Sequence, residues 1–378
     1  MLKKLVDLVT AKLSRALPVW EASDVTVVSA EAAAHHYTLP GNIESMAKEV
    51  ADHYRKMVNT APKSIAALHL YTVAHAHVSW HGAVFNNLRL FKPEMSPDTD
   101  GFFRNSFLLN QWLRPKRIRR YEQAALVYDI WSAQNYYHWL VESLPRLLVL
   151  RKYYPTVGLL IPDPAPSFIK ATASLLGFEN FIPVKKNEIA QVSSLIIPEK
   201  RPYLEMALKD TSRQYEFSLI RVRDELMRQF NKPSGLPHRR IYVSRAKQSV
   251  RRVSNEAAVE QVLSKYKFET VFFEDLSFQQ QVELMGETAV LVGLHGANLT
   301  NLMFLQAGAK VVELINLDSE KYLFYFFLAS YFNISYYAAP CRSATGDVNN
   351  QVDVVVNSEE LESVIVAALS GQSVTGFA

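Results

Sequence analysis

Apolar and polar positions alternate regularly in the C-terminal part of the chain. Short apolar runs such as Ala289–Gly293 and Lys310–Ile315 are separated by segments of helical period such as Phe278–Gly286. This alternation is typical of a parallel β-sheet that is covered by helices on both faces. Ser277 precedes one of the helices and Gln280 follows three residues later, which predicts a capping box. The C-terminal part is therefore predicted to be an α/β domain.

The N-terminal part has a less regular pattern. It begins with a β-rich stretch, and Gly158–Ile161, Ser167–Leu176 and Phe181–Val184 then form a strand–helix–strand unit. Asn135–Tyr154 has a strong helical pattern, which Pro145 should kink because proline lacks a backbone donor. We therefore predict a second α/β domain with a β-rich elaboration at its start.

Two prolines and a glycine interrupt these patterns between residues 230 and 240. Such a cluster indicates a linker, and it places the boundary near Gly235. The predicted domains are residues 1–235 and 236–378. Ligands of open parallel sheets bind outside the carboxyl ends of the strands, and often in the cleft between two such domains.

Composition narrows the class of protein. Hydrophobic residues make up 49% and charged residues 21% of the chain, which is typical of globular proteins. The net charge of +4 is small for 378 residues, so nucleic acid is not an expected partner. Cys341 is the one cysteine, which excludes an intrachain disulfide and a cysteine-rich zinc site and favours a reducing compartment.

No segment has the pattern of a transmembrane span or a secretory signal. Residues 1–13 have an amphipathic pattern, which predicts a helix on the protein surface. Weak docking of this helix to a membrane is the alternative.

The first candidate for chemistry is the turn that follows the apolar strand at residues 289–293. Gly293, His295 and Gly296 lie where the strand should end and a helix over Asn298–Leu305 should begin. Glycine lets the backbone approach a ligand, and the first N–H groups of a helix attract phosphate. The turn lacks both the dinucleotide G-x-G-x-x-G pattern and a Walker A lysine, which disfavours dehydrogenases and P-loop NTPases. A tight βα turn without a ligand remains the alternative.

The second candidate is a basic loop after the predicted strand Ile241–Ser244. It carries Arg245, Lys247, Arg251 and Arg252 within eight residues. Guanidinium groups bind diphosphate oxygens in bidentate fashion. Because two βα loops of one sheet converge at the same edge, Arg245 and His295 are predicted to share one anion site. A solvated charged loop is the alternative.

The third candidate is a polar helix face in the N-terminal domain. His138 and Glu142 are four residues apart, and Asn135 precedes them by one turn. A histidine that a carboxylate orients can act as the general base for a sugar hydroxyl. The pair has too few ligands for a metal site, so no metal is expected, and a purely structural pair is the alternative.

Together, three stretches resemble glycosyltransferase family 61. They are Asn135–Leu147, Ile241–Glu256 and Glu274–Leu314. The resemblance implies two Rossmann-like domains of the glycosyltransferase B type. It also implies a metal-independent hexosyl- or pentosyltransferase that uses a nucleotide sugar, needs no further cofactor and inverts the anomeric centre.

The resemblance also implies roles for single residues. Those expected to bind the donor are Ser244, Arg245, Arg251, His295, Gly296, Ala297 and Asn298, with Glu313 holding the ribose. His138 and Glu142 would face the acceptor as the catalytic pair, with Asn135 beside them, and either of the two could be the base.

The chain is similar to bacterial members of the family in having neither disulfide cysteines nor an anchor segment. We therefore expect it to act in the cytoplasm, or at the periphery of the inner membrane through its N-terminal helix. The expected acceptor is a glycan or lipid-linked glycan in capsule or lipopolysaccharide biosynthesis. Two alternatives stay open, namely a nucleotide-sugar epimerase or hydrolase on the same fold and a non-catalytic polysaccharide-assembly protein.

Overall fold

A computed structural model describes residues 15–19, 23–33, 35–86, 89–92, 116–200, 216–230, 235–316, 323–349 and 351–370. The predicted N-terminal surface helix lies outside these residues. The strands are β1 Arg15–Pro18, β2 Ser23–Ser29, β3 Ala32–Ala33, β4 Ser64–Ile65, β5 Leu68–Ser79, β6 Val84–Asn86, β7 Arg89–Lys92, β8 Arg117–Ala125, β9 Leu159–Asp163, β10 Phe181–Lys185, β11 Glu188–Pro198, β12 Arg239–Val243, β13 Glu269–Val271, β14 Thr288–Leu294, β15 Lys310–Ile315, β16 Ser335–Ser343 and β17 Val354–Val356.

The helices alternate with these strands in the second half of the chain. The α-helices are α1 Lys48–Thr60, α2 Tyr136–His138, α3 Leu144–Tyr153, α4 Ser167–Leu175, α5 Leu219–Arg228, α6 Glu256–Lys265, α7 Phe278–Glu287, α8 Phe324–Tyr331 and α9 Ser358–Ser370. A π-helical turn, Trp139–Ser143, joins α2 to α3, and 3-10 helices span Ile43–Ser45, Phe273–Asp275 and Ala297–Phe304. The chain divides into two compact units, and both combine sheets with helices, which confirms the α/β class.

The first unit comprises residues 1–34 and 63–226. Its main sheet has the order β1-β7-β6-β5-β11-β8-β9-β10 in the described residues, and β2 pairs with β5. Strands β11, β8, β9 and β10 run parallel to one another, whereas β5, β6 and β7 form an antiparallel meander. The meander and the edge strands are the predicted β-rich elaboration. The carboxyl ends of β8 and β11 are neighbours, and the loops that follow them carry the polar groups of this unit.

The second unit comprises residues 35–62 and 227–378. Its sheet has the order β13-β12-β14-β15-β16-β17, and only the edge strand β17 is antiparallel among the described strands. Numbered within the unit, the parallel strands follow the order 2-1-3-4-5, which is a common doubly wound arrangement. After β12 the chain continues to β13 at one edge of the sheet, whereas after β14 it continues to β15, towards the opposite edge. The carboxyl ends of these two strands therefore flank a topological switch point, where ligands of such sheets bind.

A segment from the N-terminal half completes the second unit. Tyr54 of α1 is fully buried, and its hydroxyl lies 3.1 Å from that of Tyr336. The Asn42 side chain donates to the carbonyl of Ala338 at 2.8 Å and accepts from its N–H at 3.2 Å. The predicted boundary at residue 235 assigned residues 35–62 to the N-terminal domain, so the units differ from the prediction in this segment. The difference arises from tertiary packing that local patterns do not encode.

Most predicted elements of the second unit are present. The strand Lys310–Ile315 has the predicted bounds, and the capping box of α7 is confirmed by the reciprocal bonds of Ser277 and Gln280. The helix predicted over Asn298–Leu305 is a 3-10 helix instead. Pro145 lies in the first turn of α3, directly after the π-helical turn, so the interruption is a change of helix type. Among the described residues, no helix has both the length and the apolar character needed to cross a bilayer.

Candidate functional site

Arg245 lies just beyond the carboxyl end of β12, and its side chain turns towards the neighbouring strand. Its Nε donates to the carbonyl oxygen of Arg251 at 2.8 Å, which fixes the direction of the guanidinium. Nη1 of Arg245 lies directly against Gly296. A Cβ atom added at that glycine would be only 2.6 Å from Nη1. The two loops that were predicted to converge on one anion site are therefore in contact.

Arg251 joins the same turn from the other side of the basic loop. Its backbone has a φ of +58°, and its Nη1 donates to the carbonyl oxygen of His295 at 3.2 Å. Burial and the nearby charge of Arg251 both lower the pKa of Arg245. Two guanidinium groups that lie this close repel each other, and a bound anion would relieve that repulsion.

The other two cations of the loop are engaged elsewhere. Lys247 forms an ion pair with Asp275 at 2.5 Å, and Arg252 forms one with Asp353 at 2.9 Å. Both pairs lie at the surface. Of the four cations predicted for anion binding, Arg245 and Arg251 are thus the two that the fold brings to the His295 turn.

His295 is held by a buried hydrogen-bond chain. Its Nδ1 donates to Glu313 at 2.5 Å, and Tyr336 donates its hydroxyl proton to the second carboxylate oxygen of Glu313 at 2.6 Å. Glu313 is completely buried at the end of β15. The contact with Glu313 favours the tautomer of His295 that carries its proton on Nδ1. Ribose binding by Glu313 stays a prediction, and the geometry favours a role in orienting His295.

Ser244 makes a structural contact. It is buried at the end of β12, where it and Tyr242 both donate to the Glu256 carboxylate, at 2.6 and 2.9 Å. Ser244 also accepts a hydrogen bond from the N–H of Ala246. The side chain therefore anchors the basic loop to α6. These hydrogen bonds do not test the predicted contact of Ser244 with the nucleotide-sugar donor.

The helix after His295 presents backbone and side-chain donors. Gly296 precedes Ala297–Phe304, whose first N–H groups lack partners within the helix by its geometry. The side-chain nitrogen of Asn298 is buried and has no hydrogen-bond partner within the described residues. A buried amide donor of this kind costs free energy unless a ligand or water accepts its proton.

Substituting Gly296 by alanine tests the contact between the loops. The new methyl group would displace Nη1 of Arg245, which lies at the end of a flexible side chain, so the fold should survive while the cation moves. We expect nucleoside-diphosphate affinity, measured by calorimetry, to fall roughly five- to tenfold. In an Arg245→Ala background the same substitution should have almost no further effect, because the displaced group is absent. Additive losses in the double variant would contradict the contact.

In the first unit, His138 and Glu142 form the predicted pair. Nδ1 of His138 lies 3.0 Å from Oε2 of Glu142, and the two side chains are 21% and 8% exposed. Asn135 caps the helix start by accepting from the N–H groups of Tyr137 and His138. Asn135 therefore orients the His138 backbone, and its predicted acceptor-side role is not tested by this contact. The π-helical turn carries Glu142, and such turns are frequent at functional sites.

Three charged residues beside this pair were not predicted. Nζ of Lys200 lies 2.5 Å from Glu142 and 2.7 Å from Asp129. Arg146 is buried, and its guanidinium donates to the carbonyls of Val127 and Pro198, so it joins the ends of β8 and β11. Burial lowers its pKa to about 10. The helical period of Asn135–Tyr154 places Arg146 one turn after Glu142, and this spacing could have identified Arg146 from the sequence. Asp129 and Lys200 left no such local signal.

No group of three or more histidine, cysteine, aspartate or glutamate side chains is arranged to hold a metal ion in the part of the chain that the structure describes. Cys341 is buried and unbridged. The metal-independent mechanism stays a prediction.

Comparison with known proteins supports the class of enzyme. The family model described as Glycosyltransferase 61 matches residues 136–312, a region that contains His138, Arg245 and His295. The chain is also similar to the EGF domain-specific O-linked N-acetylglucosamine transferase of Drosophila melanogaster, with 37% identity over 90 residues. That alignment covers 23% of this chain and 17% of the fly enzyme, so the chain spans about a sixth of that relative. Residues 136–312 thus carry the pattern of glycosyltransferase family 61, and both comparisons support a glycosyltransferase.

Proposed function

We propose that this chain transfers a sugar from a nucleotide sugar to a hydroxyl of a glycan acceptor, with inversion and without a metal ion. One observation carries the proposal. Arg245, Arg251 and the His295–Gly296 turn lie in contact at the carboxyl ends of β12 and β14. These strands flank the switch point of a doubly wound sheet, where nucleotides bind in such folds. A glycosyltransferase B fold with two Rossmann-like domains is part of the proposal.

The second unit supplies the donor site. Arg245 and Arg251 contact the diphosphate, while His295 and the first N–H groups after Gly296 bind its remaining oxygens. These groups are in place before the reaction, so they stabilise the negative charge that grows on the leaving diphosphate without reorganising. Such stabilisation replaces the divalent ion that many nucleotide-sugar enzymes need.

The first unit supplies the base, and the geometry favours His138 for that role. Glu142 is the more buried of the pair, and its Oε2 lies close to both His138 and Lys200. His138 is the more exposed group of the pair, which favours it as the group that meets the acceptor. In this proposal Glu142, whose Oε2 lies 3.0 Å from Nδ1, orients the ring, and Nε2 accepts the proton of the substrate.

The chemistry is a single displacement. The acceptor oxygen attacks the anomeric carbon, its proton passes to Nε2 of His138, and a new glycosidic C–O bond forms. The bond between the anomeric carbon and the diphosphate oxygen breaks, and its electron pair leaves with the nucleoside diphosphate. One attack on the face opposite the leaving group inverts the anomeric centre.

The sequence and the relative support two acceptor classes to test. We propose a cytoplasmic, bacterial-type enzyme that acts on precursors of capsule or lipopolysaccharide, with peripheral contact at the inner membrane through residues 1–13. The name of the fly relative makes nucleotide-activated N-acetylglucosamine the first donor to test, and a small protein domain the second acceptor class.

A panel of nucleotide sugars tests the function. Binding is measured by calorimetry, and slow hydrolysis of the donor is followed by release of the nucleoside diphosphate, with and without chelator. We expect one donor to bind, to hydrolyse slowly and to retain its turnover in chelator. Isomerisation of the sugar would indicate an epimerase, and hydrolysis that no acceptor diverts into transfer would indicate a hydrolase. Failure of every nucleotide to bind would favour the non-catalytic assembly protein.

A further inference from the structure

Lys200 is a cation that the fold buries between two carboxylates. Its side chain is 11% exposed, and Nζ lies 2.5 Å from Oε2 of Glu142 and 2.7 Å from Oδ2 of Asp129. Burial alone would lower the pKa of Lys200, but the charges of Glu142 and Asp129 outweigh burial and raise it above its ordinary value. The ammonium therefore carries a full charge at neutral pH.

The position of Lys200 follows from the sheet. Strands β8 and β11 are parallel neighbours, so the loops after their carboxyl ends meet at one edge. Asp129 lies in the loop after β8 and Lys200 in the loop after β11. The Asp129 carboxylate also accepts from the N–H groups of Trp131 and Ser132, which holds it in place. Burial of Asp129 would raise its pKa, but Lys200 holds that pKa well below the usual range.

His138 faces this cluster from the helix. Glu142 lies at its Nδ1, and the charge of His138 also interacts with that of Asp129. The buried guanidinium of Arg146 also acts on both carboxylates through its charge, and it donates its hydrogen bonds to backbone carbonyls. The rings of Trp131 and Tyr137 flank His138 and carry no charge. Among the described residues, Lys200 thus contacts both Glu142 and Asp129, the two carboxylates whose charges act on His138.

Two uncompensated carboxylates would make His138 a poor base at neutral pH. Each nearby negative charge stabilises the imidazolium form and so raises the pKa of a histidine. A histidine that holds its proton at pH 7 cannot accept another from a hydroxyl. A cation that touches both carboxylates cancels part of this effect, while one carboxylate still orients the ring.

We propose that Lys200 is a positioning residue that fixes Glu142 against His138 and offsets the negative charges of Glu142 and Asp129 beside the proposed base. This proposal rests on the proposed function for the role of His138. The charge balance itself concerns the protein alone, and it can be measured without any substrate.

The test is an NMR titration of the His138 ring in the full chain, assigned by loss of its signal in a His138→Gln variant. Lys200→Met should move the midpoint of the titration to higher pH, because two carboxylates remain without their cation. Asp129→Asn should move the midpoint to lower pH, since a negative charge is lost while Lys200 stays. Lys200→Arg keeps the charge and should leave the titration near that of the wild type.

Lys152→Met is the matched control, because Lys152 is an exposed lysine that pairs with Glu216 in the same unit. It should leave the His138 titration unchanged. If neither Lys200→Met nor Asp129→Asn shifts His138, or if both shift it in the same direction, the proposal is overturned. Should Lys200→Met fail to fold, the test is the shift to lower pH in Asp129→Asn together with the unshifted titration in Lys200→Arg, and the absence of either result overturns the proposal.

Kinetics separates this proposal from the proposed function. With a donor identified, the acid limb of kcat/KM against pH should move in the same direction as the titration in each variant. Opposite titration shifts in a protein that binds no nucleotide sugar would support the charge balance and reject the transferase. Normal turnover with an unshifted His138 in Lys200→Met would reject the charge balance and leave the transferase standing.

Discussion

Replacing Arg245 by alanine is expected to weaken nucleoside-diphosphate binding between tenfold and a hundredfold. The guanidinium of Arg245 lies against Gly296, at the turn proposed to bind the phosphates. A charge-assisted hydrogen bond contributes about 1.5–3 kcal/mol, which corresponds to this range of affinity. Arg245 is partly buried, and burial strengthens its interaction with an anion relative to a surface cation. Isothermal titration calorimetry at fixed ionic strength measures the loss.

Arg252→Ala is the matched control for that result. Arg252 belongs to the same loop and is the same residue type, but it pairs with Asp353 at the surface. Its removal should change nucleotide affinity less than twofold at moderate salt, since surface ion pairs and exposed cations contribute little. Equal losses from the two substitutions would indicate general attraction by the loop. Unchanged affinity in Arg245→Ala would remove the loop from the donor site.

Replacing His138 by glutamine is expected to lower turnover between a hundredfold and ten-thousandfold while donor affinity stays near that of the wild type. General base catalysis contributes about this factor. Glutamine keeps a polar side chain of similar size at the helix face, so the start of the helix that Asn135 caps should persist. The loss should appear in kcat, because the proton transfer occurs in the transition state. Steady-state kinetics with the identified donor and acceptor measures it.

His75→Gln is the control in the same unit, because His75 is exposed on β5 and has no proposed role. It should leave kcat unchanged. Glu142→Gln should reduce kcat less than His138→Gln if Glu142 only orients the ring. The reverse order of effects would make Glu142 the base, and wild-type turnover in both variants would exclude the pair.

The sequence allowed the second unit to be predicted closely because its information is local. A buried parallel strand is a short apolar run, and a capping box marks the first residue of a helix. The bounds of β15 and α7 could therefore be predicted to within one residue. The contact between Arg245 and the His295 turn could also be predicted, because the carboxyl ends of neighbouring parallel strands lie at the same edge of a sheet. That inference needed only the assumption that β12 and β14 lie side by side.

The unpredicted parts depend on contacts between distant residues. Lys200 and Asp129 are 71 residues apart, and neither lies in a segment with a distinctive pattern. The burial of Glu313 depends on Tyr336, which lies on the next strand of the sheet. Periodicity shows which face of an element is apolar, but it does not show which polar group from elsewhere in the chain is buried against it.

The contribution of residues 35–62 to the second unit limits how the protein can be divided. A polypeptide that begins at residue 236 would leave the rings of Phe326, Phe327 and Tyr336 without the tyrosines that cover them. It would also lose the bonds of Asn42 to β16. Such a fragment should aggregate during expression, and co-expression of a peptide that spans 35–62 should rescue its solubility. The half of the protein proposed to bind nucleotides is thus a two-piece domain, which only the intact gene or a split-protein design would deliver.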